Sequence, residues 1–160
     1  MPNTEPPLLG QGFHWQELTV GDRFRTFGRT VTEPDLMGFV ALTGMQEPLF
    51  VDITHAGALG ARPVPGVLTY ALIEGLLLRG MLHGTGLAML DTQMRPLAPV
   101  RVGDTIHAEV EVTEVRPTSK GNRAVVESAV RVLNQHGTPV LEYTVKRLLA
   151  GIPEATGEDA

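Results

Sequence analysis

No cysteine occurs among the 160 residues. That absence excludes thiolate nucleophiles, Cys-ligated zinc, iron–sulfur clusters and a disulfide-stapled secreted fold. Lysine is scarce too, with only Lys120 and Lys146, and the eleven arginines are scattered. Phosphate backbones are bound by clustered Lys and Arg, so nucleic acid is not an expected partner, and the formal net charge of −5 points the same way. Long apolar runs are also missing. The longest, Val64 to Leu82, is broken by Pro65, Glu74 and Arg79 and reads as buried helix, not as a membrane span. The opening MPNTEPPLLGQGFHW has no basic segment leading into an apolar one, so no signal peptide is expected and the chain is assigned to the cytoplasm. There is no internal repeat, no HExxH or EF-hand pattern and no histidine pair at metal-ligand spacing, so neither a metal nor a separate cofactor is expected.

What is present suffices for one domain. With 42% hydrophobic residues, a chain of this length removes about two-thirds of its unfolded surface from water. Residues 1–12 hold three prolines and two glycines without periodicity and read as a loose arm; 153–160 read as a frayed acidic tail; 13–152 form the folded domain. Alternation over 23–31 indicates a strand. Thr32-Glu33-Pro34-Asp35 then starts a helix with a Thr cap, an early proline and acids in the first turn, and Gly44 ends it. A loop over 45–51 leads to Asp52, expected to cap a short helix reaching Leu59. A long apolar helix over about 66–83 should be wrapped on most faces by other structure. Strands are expected over 87–94, 105–115, 123–133 and 139–149. One very apolar helix beside about five antiparallel strands is the α+β composition of a sheet curled around that helix, with a polar outer face.

Five strings lie in the same order and spacing as in a known family: RTVTEPDLMGFVALTG (29–44), EPLFVD (47–52), RPVPGVLTYALIEGL (62–76), RPLAPVRVGDT (95–105) and NQHGTPVLEYTV (134–145). Over about residues 20–150 the chain resembles the hotdog fold of the MaoC-like acyl-CoA hydratases and dehydratases of fatty acid metabolism. The resemblance implies a homodimer or larger assembly whose sheets join edge to edge, with an acyl-CoA thioester bound at the protomer boundary and coenzyme A present only as part of the substrate. In active members the loop after the first helix reads Gly-Asp-x-Asn-Pro-x-His. Its Asp and His handle the water that adds across an enoyl thioester, and a backbone N–H at the start of the central helix polarises the thioester carbonyl. Adding water at C3 needs a base, protonating C2 needs an acid, and the developing oxyanion needs a fixed donor.

Here the loop reads Gly44-Met45-Gln46-Glu47-Pro48-Leu49-Phe50, with Met45 at the family's Asp position and Phe50 at its His position. Neither side chain carries a transferable proton. Gly66 matches the helix-start glycine, preceded by Pro65 where many members have His. By resemblance, then, Gly66 supplies the catalytic N–H, Met45, Phe50, Val64, Pro65 and Val67 line the substrate site, and Glu47 is the nearest substitute base. Glu47 also reads as a solvated acid, Asp52 as a cap, and Arg62, Arg95 and Arg101 as paired or solvated cations or as coenzyme A phosphate anchors. Glu74, inside an apolar helix, is expected either to pair with an Arg at a helix end or dimer seam or to be a costly buried charge, the pairing being favoured. Two functional readings stand. One is an enzyme, a hydratase or dehydratase with a displaced base or a thioester hydrolase. The other is a non-catalytic acyl-CoA-binding chain or the structural partner of an active homologue.

Overall fold

The computed structural model describes residues 8–55 and 57–154. The expected loose arm and acidic tail therefore lie mostly outside the described residues. At the arm's inner end, Gly12 and Phe13 donate their N–H groups to the carbonyls of His83 (2.7 Å) and Met81 (2.8 Å). After a 3-10 turn at Trp15–Glu17 come β1 (Arg23–Arg25), β2 (Arg29–Thr30), α1 (Glu33–Thr43), α2 (Pro48–Val51) and α3 (Gly66–Arg79). Then follow β3 (Gly86–Pro96), β4 (Thr105–Pro117), β5 (Arg123–Leu133) and β6 (Pro139–Ala150). All strand pairs are antiparallel, in the order β1-β4-β5-β6-β3 with β2 also against β4.

Among the described residues the strands number six, one more than the alternation suggests, because the first is split. Thr26 Oγ1 accepts the Ala108 N–H (2.9 Å), so a side chain replaces a backbone carbonyl in the ladder between β1 and β2. The sheet curls around α3. Leu68, Ile73 and Leu77 of the helix are buried together with Ile106, Ala108, Val110 and Val112 of β4, Val126, Val130 and Val132 of β5, and Leu141, Val145 and Leu149 of β6. The opposite face is polar, as the alternation requires. One cross-strand row runs Arg25, Glu109, Arg131, Glu142, Arg95, alternating in sign over the width of the sheet. A hollow of about 650 Å³ lies over this face, and its charged lining residues are engaged with one another, as in Arg95–Glu142 at 2.8 Å.

The start of α1 was fully legible. Thr32 and Asp35 form a reciprocal capping box, and Gly44 closes the helix at φ 73°. The Asp35 carboxyl feels burial, which pushes its pKa up, but the Thr32 hydroxyl and amide and the Arg29 guanidinium outweigh that and hold it below its ordinary value. A hydrogen bond from Arg62 likewise holds Glu33 low. Both carboxyls are ordinary in the unfolded chain, which therefore takes up more protons as the pH falls. The stability they contribute is present above the usual carboxylate range and should be lost as the pH drops through and below about 4. Urea unfolding midpoints at a series of pH values test this, and Asp35→Asn should flatten the acid limb.

Two helices differ from expectation. The short second helix is Pro48–Val51, not the stretch after Asp52. Pro48 at the first helical position, with its φ already set, starts the turn earlier. Asp52 instead ends that turn, and its carboxylate accepts from the Thr54 amide (2.8 Å) and hydroxyl (2.6 Å). Helix α3 stops at Arg79, because Gly80 leaves helical geometry, so His83 lies beyond the helix and not at its last turn. Nor is α3 wrapped on most faces. Val67, Ala71, Gly75 and Leu78 form an exposed stripe along it, and every residue of the edge strand β3 is exposed.

Glu74 has its partner. Its carboxylate takes Arg147 Nη2 at 2.6 and 2.8 Å and the Tyr143 hydroxyl at 2.6 Å, with Glu74 and Arg147 each less than a tenth exposed. Burial first and the Glu74 charge second push the Tyr143 pKa far up, so its hydroxyl stays a donor. This buried cluster ties α3 to β6.

Candidate active site

Residues 60–66 enter α3 through two prolines, which keep the chain extended up to the helix start. Val64 donates its N–H to the Val100 carbonyl (2.8 Å), and Leu97 donates to Val140 (2.9 Å). These bonds set the start of α3, the segment 96–100 and the start of β6 side by side. Arg62 closes the arrangement from the other side. Its guanidinium pairs with Glu33 at the head of α1 and donates to the Phe50 carbonyl in α2 (3.4 Å).

Between these elements lies a cavity of about 370 Å³. Its wall is Leu49 and Phe50 of α2, Leu59, Pro63, Val64, Gly66 and Thr69 of α3, residues 96–100, and Val140 and Leu141 of β6. No lining residue is titratable, and only Thr69 has a polar side chain. The volume is near the lower end for ligand cavities, enough for an acyl group but not for a coenzyme. At its edge α3 begins. Pro65 has no N–H, Leu68 and Thr69 donate to the Pro65 carbonyl, and the amides of Gly66 and Val67 have no acceptor among the described residues. Two free N–H groups at the positive end of a 14-residue helix favour a partly negative oxygen.

Of the expected site residues, the cavity brings together Phe50, Val64 and Gly66. Pro65 is buried just before the helix, and Met45 is half-buried after Gly44; neither lines the cavity, and Val67 turns its side chain to the exposed stripe. Glu47 is exposed at the start of α2, with its backbone carbonyl bonded by the amides of Phe50 and Val51, and its carboxylate is not part of the lining. Among the suggested phosphate anchors, Arg62 and Arg95 are engaged by Glu33 and Glu142. The exposed Arg101 donates its guanidinium to the Leu59 carbonyl (3.1 Å), beside the cavity. Among the described residues no three His, Asp or Glu side chains gather as a metal site would require. Sequence reasoning missed the walls supplied by Leu49, Leu59, Pro63 and residues 96–100, where Pro99 was the available signal that the chain leaves the ladder after β3. Thr69 and Tyr70, one turn into the central helix, are both positions from which the sequence allows an acyl tunnel to be lined; the cavity has Thr69 on its wall and not Tyr70.

A profile of the MaoC like domain matches residues 16–135. An (R)-specific enoyl-CoA hydratase of Aeromonas caviae is 32% identical over 124 residues, covering 76% of this chain and 88% of that protein. The crystal structure of a MaoC-like dehydratase from Rhodospirillum rubrum superposes with a TM-score of 0.78 at 27% identity, covering 89% of this chain and all of the other. A conserved Mycobacterium tuberculosis protein with a double hotdog fold superposes at 0.81 and 18% identity, over 91% of this chain and 46% of that one. The architecture is therefore the hotdog fold.

Proposed function

This chain belongs to the MaoC like domain family, and from that membership we propose that it holds the acyl end of an acyl-CoA thioester in the cavity at the start of α3, without itself supplying the acid and base that hydration requires. The observation that carries this reading is the composition of the cavity wall: apolar except for the Thr69 hydroxyl, without one ionisable side chain, and reaching Gly66, whose amide has no acceptor among the described residues. Hydrocarbon gains by entering such a space, and a thioester oxygen gains at the helix start. A positioned acid or base is worth about 10²–10⁴-fold each. Polarisation alone therefore leaves (R)-specific hydration or dehydration slow. The same wall argues against thioester hydrolysis by this chain, because no carboxylate borders the helix start.

Assembly fits a second copy or an active homologue. Among the described residues the edge strand β3 pairs only with β6, and it carries exposed Leu87, Met89, Leu90 and Met94. Long bare edges of this kind are normally covered. We assign β3 to edge-to-edge pairing in a homodimer or larger homo-oligomer, or in a heteromer with a homologue that retains Asp and His. Arg101 is the remaining candidate for a coenzyme phosphate.

Titrating crotonyl-CoA and longer 2-enoyl-CoAs into the purified protein should raise its melting temperature with ligand concentration, while loss of enoyl absorbance and release of free thiol stay at background. Turnover abolished by Glu47→Ala would instead establish a displaced base at Glu47. No thermal shift would remove the binding reading.

A further inference from the structure

Thr69 is 2% exposed, and its Oγ1 is buried without a hydrogen-bond partner among the described residues. A helical threonine often returns its hydroxyl to a carbonyl three or four residues back. Here the Pro65 carbonyl accepts the amides of Leu68 (2.9 Å) and Thr69 (3.3 Å) but not the hydroxyl, unlike Thr43, whose hydroxyl bonds the Phe39 carbonyl (2.7 Å). Valine would fill the same volume without burying an oxygen, so packing gives no reason for the hydroxyl. Thr85 Oγ1 is an equally buried orphan, but Thr85 does not line the cavity. The distinction of Thr69 is its surroundings. It lies one turn into α3 from Gly66, on the same cavity wall, and helical side chains lean toward the N-terminus, here toward the free Gly66 and Val67 amides.

We infer that the Thr69 hydroxyl recognises an oxygen of the bound acyl group, adding a side-chain donor to the amides at the helix start and selecting thioesters over plain hydrocarbon. This rests on the acyl-thioester reading above. Since Oγ1 is covered, the contact uses a turn about χ1 that exchanges Oγ1 with Cγ2 on the wall, and helical threonine populates two rotamers.

The test compares wild type, Thr69→Val, Thr69→Ser and Thr85→Val by calorimetric titration with butyryl-CoA and with S-butyl-CoA, the thioether that lacks the carbonyl. Wild type, Thr69→Ser and Thr85→Val should hold butyryl-CoA about three- to tenfold more tightly than Thr69→Val does. All four should bind the thioether alike. Thr69→Val should also melt higher by about 2–4 °C, because the orphan oxygen is gone. Equal weakening of both ligands by Thr69→Val, or of neither, overturns the proposal. Wild type binding neither ligand overturns the acyl-thioester reading itself, a result distinct from binding that ignores residue 69.

Discussion

Introducing Met45→Asp and Phe50→His together is expected to raise the rate of water addition to crotonyl-CoA by at least about 10²–10⁴-fold. Phe50 already lines the cavity whose edge is Gly66, so an imidazole at position 50 enters the space where the enoyl group would lie. Met45 follows the αL glycine that ends α1, on the short connection into α2, and by resemblance is where the family keeps its Asp. The two groups act as a unit, since one handles the water and the other the proton at C2. Either single replacement should therefore recover far less than the pair. Phe50 and Met45 are only half-buried, so the double variant should fold, which circular dichroism checks. A folded double variant with unchanged turnover would mean that the cavity does not hold the enoyl group as argued.

Arg147→Met should cost about 3–5 kcal/mol of stability, because it strands the Glu74 carboxylate in the core with the Tyr143 hydroxyl as its remaining partner. Buried ion pairs contribute little over well-packed apolar side chains, whereas a single buried charge is expensive. Replacing both partners, as in Glu74→Leu with Arg147→Met, should consequently recover most of the loss. Urea unfolding of the two single variants and the double gives the coupling directly. Additive losses would mean that water reaches Glu74 and that the cluster is not the buried tie between α3 and β6 that its exposure and distances describe.

The parts of the fold that sequence revealed are those governed by neighbours in the chain. The capping box at Thr32 and Asp35 and the glycine stop at Gly44 are contained within α1 and its flanks, and the alternation along most of Arg123–Leu133 gives β5 its expected bounds. The failures have other causes. The split of β1 from β2 depends on Thr26 meeting Ala108, 82 residues away. At α2 two local rules competed, and the fixed φ of Pro48 prevailed over the capping capacity of Asp52. The apolar period of α3 does not distinguish a face buried by its own sheet from the exposed stripe that holds Val67, Ala71 and Leu78. The cavity was the least legible feature, since its wall is drawn from separate stretches between Leu49 and Leu141. Met45 and Phe50 could be read as the loss of an acid and a base only through family resemblance. The structure adds that the cavity wall holds no carboxylate and that Glu47 is exposed.

The central claim, binding without an acid–base pair, is tested most directly by mixing purified protein with crotonyl-CoA in one cell and recording binding heat and enoyl absorbance together. Saturable heat with absorbance decaying no faster than in buffer is the expected result. Saturable heat with rapid loss of absorbance, or no saturable heat at all, would contradict it.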